Sequence, residues 1–184
     1  NFIDKWEVEN YRRKIAVTSK PGNKPENRVA IVTGGAQGFG AGIVQGLFSL
    51  SMNVVIADLN ESVAGKLISG LMSPGVPNRV IFVRTDVSDP ASVKDLIEIT
   101  VSEFGGLDLV VSNAGILKAG GLDEMDPEIF SKTTAVNYNG YFYCAKYASE
   151  VMKQQNKEKP GYYTDIVQIN SKSGLRGSNR NFAY

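Results

Sequence analysis

The sequence predicts an α/β fold of three layers, with helices on both faces of a mainly parallel, doubly wound sheet. Five short apolar runs rich in β-branched residues follow one another along the chain, and none alternates with polar residues. Such runs are typical of strands that are covered on both faces. The segments between them are long enough for crossover helices, and right-handed crossovers build a parallel sheet. The predicted strands are residues 29–33, 54–57, 80–83, 107–111 and 166–169.

The composition is that of one globular domain, and it excludes several classes of protein. Of the 184 residues, 42% are hydrophobic and 21% are charged, with 20 basic and 19 acidic side chains. Since neither charge is in excess, we expect no nucleic-acid partner and no membrane partner. One cysteine and no histidine exclude a disulfide framework, a Cys/His metal site and every imidazole mechanism. No apolar run reaches the ~20 residues of a membrane helix, and we expect a reducing, cytoplasmic location.

Residues 1–28 differ from the remainder of the sequence. Charged residues crowd together in the first half of this segment, and Pro21, Gly22 and Pro25 break regular structure in the second half. We therefore predict an arm and linker over residues 1–28 and one folded domain over residues 29–184.

Three predicted helices have start and stop signals of their own. The first, residues 38–50, follows the first strand directly. The second spans residues 90–104, with a proline in its first turn and a glycine after its last residue. The third begins with Asp126 as N-cap and Pro127 in its first turn. Its core-facing stripe is predicted to contain Phe130, Thr134, Asn137, Tyr141, Cys144, Ala148 and Val151.

The first strand runs into a glycine-rich turn at residues 33–40, which leads into a helix. Glycine permits a positive φ and a close backbone approach, and a helix amino terminus offers unpaired N–H groups to a phosphate. The turn therefore predicts a pyrophosphate site. A tight turn that binds nothing is the alternative, because the spacing is not G-x-G-x-x-G and glycines alone do not decide. The candidate contacts are Gly34, Gln37, Gly38, Phe39 and Gly40.

Asp58 closes the second predicted strand, 24 residues after Gly34. A carboxylate in this position accepts hydrogen bonds from adenosine ribose hydroxyls and repels a 2′-phosphate, which favours NAD over NADP. A solvated loop aspartate, or an N-cap for the helix near Glu61, is the alternative interpretation.

The other predicted strands also end in small polar residues or glycine. Asp86 follows the third strand, residues 112–115 follow the fourth, and Ser171 follows the fifth. In an open parallel sheet, ligands bind outside the carboxyl ends of the strands, so this coincidence predicts a ligand site. Polar residues at strand ends also form ordinary turns, and an unliganded scaffold stays open as an alternative.

At these residues the sequence resembles the classical short-chain dehydrogenase/reductase family, which has a Rossmann-type fold. The family's Thr-Gly-x-x-x-Gly-x-Gly turn is matched by Thr33, Gly34, Gly38 and Gly40. Its Asn-Asn-Ala-Gly motif is matched by residues 112–115, with Ser112 in place of the first asparagine. The resemblance covers almost everything from residue 28 to residue 184.

The resemblance implies both a cofactor and a set of catalytic residues. Asn137 matches the family's catalytic asparagine. Ser171 and Tyr184 stand thirteen residues apart, the family spacing between a serine that hydrogen-bonds the substrate carbonyl and a tyrosine that exchanges its proton. The implied reaction is hydride transfer between NAD and a secondary alcohol or ketone, which requires no histidine. The resemblance adds these cofactor contacts: Asp86, Val87, Asn113, Ala114 and Gly115.

The resemblance also implies that the sequence lacks a C-terminal part of the domain. The family has a lysine four residues after the tyrosine, and this position lies beyond Tyr184. We expect a polypeptide of only these 184 residues to be inactive and prone to aggregate.

Residues 169–174 resemble the branch that acts on sugar-alcohol phosphates, such as sorbitol-6-phosphate 2-dehydrogenases. Lys172 is a candidate for a substrate phosphate, although a solvated loop lysine is an equal alternative. The third helix has more aromatic surface than one core stripe needs, at Tyr138, Tyr141, Phe142 and Tyr143. This surface favours a homo-oligomer, either a dimer or a tetramer. Packing of these rings under the missing part of the chain is the alternative.

Two other classes of function stay open. One is a noncatalytic NAD-binding or sensing module, which would bind cofactor without turnover. The other is a different Rossmann enzyme, such as a nucleotide-sugar epimerase or a methyltransferase. The glycine spacing argues against an epimerase, and Ser171 with Tyr184 argues against a methyltransferase.

Overall fold

The computed structural model describes residues 27–177, 180 and 182–184. The predicted arm and linker, residues 1–28, therefore lie outside the described residues except for Asn27 and Arg28.

The five predicted strands form one sheet in which every neighbouring pair is parallel, in the order β3-β2-β1-β4-β5. This confirms the predicted α/β fold class. The strands are β1 Val29–Thr33, β2 Asn53–Asp58, β3 Val80–Arg84, β4 Leu109–Ser112 and β5 Asp165–Gln168. Strand β4 begins two residues later than predicted, because Leu107 donates its N–H to the side-chain oxygen of Gln155 instead of to a neighbouring strand.

The helices lie on both faces of the sheet and make the fold three-layered. They are α1 Gly38–Ser49, α2 Glu61–Leu71, α3 Pro90–Phe104, α4 Pro127–Thr134 and α5 Gly140–Glu158. Alternate residues of β1 belong to two separate clusters: Ile31 packs with residues of α3 and α5, while Ala30 and Val32 pack with residues of α1 and α2. All five residues of β1 are buried, which explains why its sequence is continuously apolar.

Local capping signals locate the helix ends. Asp89 accepts a hydrogen bond from Ala91 N, and Gly105 has a left-handed φ of 80°, so α3 has the predicted bounds. Helix α1 ends at Ser49, one residue earlier than predicted. The N-cap of α2 is Asn60, whose side chain accepts from Val63 N, so the capping alternative for Asp58 is wrong.

The third predicted helix is interrupted, and part of its predicted stripe is wrong. A π-helical turn, Ala135–Asn139, separates α4 from α5. Because a π turn holds more residues than an α turn, it shifts the face that looks inward. Upstream of it Thr133, rather than Thr134, is buried, and Phe130 is 42% exposed. Downstream, Cys144, Ala148 and Val151 of the predicted stripe are buried, whereas Tyr141 is only partly buried.

Within the described part of the chain, no helix is both long enough and apolar enough to span a membrane. The same residues contain no cluster of three acidic, cysteine or histidine side chains that could hold a metal ion. Cys144 is a buried free thiol, and burial raises its pKa to about 12.

Candidate active site

The strand ends bring the predicted site residues to one side of the molecule. Since all five strands are parallel, their carboxyl ends lie along the same edge of the sheet, here called the carboxyl edge. Gly34 follows β1, Asp58 closes β2, Asp86 follows β3, Asn113 follows β4 and Ser171 follows β5. The predicted grouping of these residues at one edge therefore occurs.

The turn between β1 and α1, residues 34–37, and the first turn of α1 require glycine at specific positions. Gly34 has a φ of 61° and Gly38 a φ of 57°, in the left-handed region that side chains disfavour. Gly40 lies so close to Gly34 that an added Cβ would sit 2.0 Å from the Gly34 carbonyl oxygen. No other residue fits at Gly40 without a backbone shift.

The amino terminus of α1 is open. Its N-cap residue, Gln37, makes no side-chain capping hydrogen bond, and no acidic residue lies in the first turn. An added Cβ at Gly38 would meet nothing within 4 Å, and Phe39 is 86% exposed. A helix end of this kind suits a phosphate, because the first N–H groups and the helix dipole both attract an anion. The residues present therefore fit the pyrophosphate of a dinucleotide.

Thr33 and Asn113 join the turns that follow β1 and β4. The buried Thr33 Oγ1 accepts hydrogen bonds from Asn113 N and Ala114 N, both at 3.0 Å. In return, Asn113 Nδ2 donates to Thr33 O at 2.9 Å and to Gly34 O at 3.1 Å. The Asn113 amide group thus binds the backbone of the glycine-rich turn. Its contribution to ligand binding is to hold that turn in place.

Asp58 also binds the backbone of neighbouring turns. Its Oδ2 accepts from Ala36 N and its Oδ1 from Asn60 N, both at 3.0 Å. The side chain is half-buried at the end of β2. A carboxylate has about four acceptor sites, so these two bonds leave capacity for ribose hydroxyls.

Asp86 and Val87 follow β3 and have different surroundings. Asp86 Oδ1 accepts from Ser88 Oγ at 2.6 Å and from Ser88 N at 2.9 Å, and these bonds lower the pKa of the carboxyl from its ordinary 3.8. Val87 is buried, and an added Cβ at Gly140 would lie 3.0 Å from its Cγ2 atom. Val87 thus packs against the start of α5, while Asp86 stays exposed at the carboxyl edge.

Asn137 lies in the π-helical turn and holds the loop after β4. Its Oδ1 accepts from Ile116 N and its Nδ2 donates to Ile116 O, both at 2.9 Å. The same Oδ1 would lie 3.5 Å from a Cβ built on Gly115. The amide therefore fixes residues 115–116 of the loop that follows β4.

Ser171 caps a short 3-10 helix, Lys172–Gly174, by accepting from Ser173 N at 3.2 Å. Its hydroxyl proton can still be donated to a ligand. Lys172 is exposed next to it. Tyr184 is 44% exposed, and among the described residues no hydrogen bond joins it to Ser171 or Asn137.

The described residues just before Tyr184 pack on the loop between β4 and α4. Gly120 N donates to Arg180 O at 2.7 Å, and Phe182 N donates to Gly120 O at 3.2 Å. The ring of Phe182 lies 6.0 Å from that of Phe130, between centroids. This packing also explains why Phe130 faces away from the core.

The roles of the Thr33 hydroxyl and of Arg84 were not predicted from the sequence. Thr33 was identified as the first residue of the glycine-rich motif, but the two hydrogen bonds of its hydroxyl join segments about 80 residues apart. Arg84 ends β3 and donates through Nη1 to Leu59 O at 2.8 Å. Its signal was a basic residue at the end of an apolar strand.

The parallel sheet, the open helix terminus and the carboxylates at the strand ends define the class of nucleotide-binding α/β proteins. Residues 28–184 match the family model of short chain dehydrogenases. The chain belongs to this family.

Two curated relatives and one solved structure illustrate the similarity. An uncharacterized oxidoreductase of Thermotoga maritima is 38% identical over 127 residues, which are 69% of this chain and 49% of the relative. The 2,5-dichloro-2,5-cyclohexadiene-1,4-diol dehydrogenase LinX of Sphingobium indicum is 34% identical over 163 residues, 88% of this chain and 62% of the relative. A short chain dehydrogenase/reductase of Burkholderia phymatum in complex with NAD has a TM-score of 0.81 at 29% identity, covering 89% of this chain and 56% of that one. The chain spans about half to three fifths of the length of these proteins.

Proposed function

We propose that the protein is a NAD-dependent oxidoreductase that transfers a hydride between nicotinamide and a secondary alcohol or ketone. The observation that carries the proposal is the open amino terminus of α1, whose N-cap residue Gln37 makes no side-chain hydrogen bond to the first N–H groups. It lies at the same sheet edge as Ser171 and as the loop after β4, which Asn137 holds through Ile116. A noncatalytic NAD-binding module has the first feature but does not need the other two.

In this proposal different residues of the carboxyl edge bind different parts of the dinucleotide. The turn from Gly34 to Gly40 receives the pyrophosphate, and Asp58 receives the adenosine ribose. Asp86 and Val87 border the adenine, while residues 113–115 border the nicotinamide end. When bound, the nicotinamide ring supplies or accepts the hydride.

The chain's own catalytic contribution is orientation and one proton. Ser171 Oγ donates a hydrogen bond to the substrate oxygen, and Tyr184 exchanges a proton with that oxygen. Asn137 holds Ile116 and through it the loop beside the nicotinamide end. The proposal for Tyr184 is supported by its spacing of thirteen residues from Ser171.

Asp58 makes the cofactor preference testable. A 2′-phosphate placed beside this carboxylate is repelled, so the complete protein should bind NAD more tightly than NADP. Calorimetric titration of both cofactors measures the ratio, and Asp58→Ala should lower it. Equal binding of the two cofactors, or a ratio unchanged by the substitution, would refute the role of Asp58.

The substrate we propose is a polyol or sugar alcohol, possessing a phosphate that pairs with Lys172. Two observations support it: Lys172 is exposed beside Ser171, and the relative LinX is named for a cyclic diol. In the complete protein, Lys172→Ala should raise KM for a phosphorylated polyol much more than for its unphosphorylated analogue. Equal changes for both substrates would remove the phosphate from the proposal. NAD binding without turnover of any alcohol would favour the noncatalytic module.

We also propose that the complete protein is a cytoplasmic homo-oligomer. Tyr138 is 73% exposed and Phe142 54% exposed, at the start of the α5 region, and such aromatic surface favours contact with a second copy. Sedimentation of the complete protein tests this, and Phe142→Glu should lower the oligomeric state. A monomer at micromolar concentration would contradict it.

A further inference from the structure

A basic residue is the cross-strand neighbour of the aspartate at the end of β2. In the register of the parallel strands, Asp58 pairs directly with Arg84 of β3. Partners in a parallel register point to the same face of the sheet. The carboxylate and the guanidinium therefore leave the backbone from neighbouring positions at the carboxyl edge.

Arg84 reaches over the turn that follows Asp58. Its Nη1 donates to the carbonyl oxygen of Leu59, the next residue after Asp58, at 2.8 Å. Within the described part of the chain this is the only hydrogen bond of the guanidinium, which has five N–H donors. The side chain is exposed, so its remaining donors are open to a ligand.

The surroundings of Asp58 hold opposing charges. The glycine-rich turn, residues 33–40, carries no charged side chain. Glu61, in the first turn of α2, adds a second negative charge on this side. Arg84 is thus a basic residue that the strand register places next to Asp58.

We propose that Arg84 is a second specificity-determining residue of the adenosine site, one that attracts a ribose 2′-phosphate and opposes the selection made by Asp58. The inference rests on the proposed function, because it assumes that the carboxyl edge binds a nicotinamide dinucleotide. Arginine is suited to this role, since its planar group binds phosphate through two parallel hydrogen bonds. The preference for NAD then depends on two opposing effects, the repulsion of a 2′-phosphate by Asp58 and its attraction by Arg84. The preference changes to NADP when the charge of Asp58 is removed.

Calorimetric titration of the complete protein with NAD, NADP and adenosine 2′,5′-bisphosphate tests the proposal. Asp58→Asn removes the charge and keeps one of the two side-chain oxygens that accept from the adjacent backbone. In that background, Arg84→Met should weaken NADP and the bisphosphate by about ten-fold and change NAD by less than about two-fold. The matched control is Arg79→Met, which removes the same charge just before β3, at the opposite edge of the sheet, and should leave the ratio unchanged.

A second measurement does not depend on the Asp58 variant. With Asp58 intact, Arg84→Met should raise the ratio of NAD to NADP affinity. Equal weakening of NAD and NADP would show that Arg84 only holds Leu59, and an unchanged ratio would show that it does not meet the 2′ position. Either result overturns the proposal while NAD binding persists. If the unaltered protein binds no NAD, the proposed function fails as well, which separates the two failures.

Discussion

At the edge where the strands begin, here called the amino edge, Asp108 is buried and its carboxylate accepts from Val29 N at 2.7 Å and from the Tyr162 hydroxyl. At the carboxyl edge, Asp58 is only half-buried and accepts from two backbone N–H groups of neighbouring turns. Both aspartates join separate segments of chain. They differ in how much of the carboxylate stays accessible to a ligand after these hydrogen bonds are made.

At the amino edge, the polar groups have their interaction partners within the chain. The Arg28 guanidinium carbon lies 5.3 Å from the Tyr162 ring centroid, and the Lys159 Nζ lies 4.9 Å from it. The buried Gln155 accepts from Leu107 N at 2.9 Å. Each of these groups has its partner within the chain, so this edge contributes stability and offers little to a ligand.

The carboxyl edge uses its side chains to hold loops and leaves backbone donors open. Thr33, Asp58, Asn113 and Asn137 each bind the backbone of an adjacent turn. The amino terminus of α1 lies among these turns with no side-chain cap. The two edges therefore use their polar side chains differently. At the amino edge these side chains stabilise the fold, and at the carboxyl edge they position the turns of a binding surface.

The largest expected effect on cofactor binding is at the carboxyl edge. Gly40→Ala places a Cβ 2.0 Å from the Gly34 carbonyl oxygen, so the turn must move. We expect NAD affinity to fall about 100-fold, because the turn that overpacking displaces is the proposed pyrophosphate site. The matched control is Gly42→Ala in the same helix, where an added Cβ meets nothing within 4 Å. The control should keep its affinity and gain stability, because alanine is the better helix former. Calorimetry and thermal unfolding measure both, and equal affinities for the two variants would break the comparison.

At the amino edge the largest effect should be on stability alone. Asp108→Leu leaves Val29 N and the Tyr162 hydroxyl without their acceptor, and we expect a loss of roughly 3 kcal/mol in the free energy of unfolding. NAD affinity of the folded protein should not change. Asp95→Ala, at an exposed position of α3, is the control and should have an effect below about 0.5 kcal/mol. Urea unfolding measures the loss, and a large drop in NAD affinity after Asp108→Leu would contradict the separation of the edges.

Thr33→Val should have a smaller effect that reaches both stability and binding. It removes the acceptor of Asn113 N and Ala114 N, and leaving these donors unpaired costs about 2 kcal/mol. Thr33→Ser keeps the acceptor and should restore most of the loss. Urea unfolding and NAD titration of both variants are the measurements. A serine variant as unstable as the valine variant would assign the effect to packing instead.

The smallest effect distinguishes the edges by the sign of a pH dependence. Burial raises the pKa of Asp108 above its ordinary 3.8, so its contribution to stability falls as pH rises from 3.8 through the folded-state pKa. The bonds from Ser88 lower the pKa of Asp86, so its contribution is present above 3.8 and is lost as pH falls through the folded-state pKa.

Urea unfolding from about pH 3 to 6 tests these signs. The difference in unfolding free energy between the unaltered protein and Asp108→Asn should decrease as pH rises. The same difference for Asp86→Asn should increase. Slopes of the same sign for the two variants would contradict the contrast between the edges.

Much of the fold could be predicted from local signals. The apolar runs located all five strands, and Pro90 and Gly105 predicted the two ends of α3. The π-helical turn could not be predicted, because it depends on distant partners. Gly140 fits closely against Val87, and Asn137 bonds to Ile116, which is 21 residues away.

The candidate site was predictable in position but not in detail. Parallel topology places strand-end residues at one edge, so Asp58, Asn113 and Ser171 could be grouped from the sequence. The sequence does not reveal which way a side chain turns. The Asn113 amide binds Thr33 and Gly34 backbone oxygens, and the Arg84 contact with Leu59 joins residues that only the register of β2 and β3 brings together.

The most direct test of the contrast is amide hydrogen exchange of the complete protein with and without NAD. Bound NAD should protect the amides of the turn after β1, residues 34–40, and of the loop after β4, residues 113–116. The amides of Val29 and Leu107 at the amino edge should exchange at the same rate in both samples beyond any global gain in stability. Protection centred on the amino edge, or none at residues 34–40 with NAD bound, would contradict the assignment of the two edges.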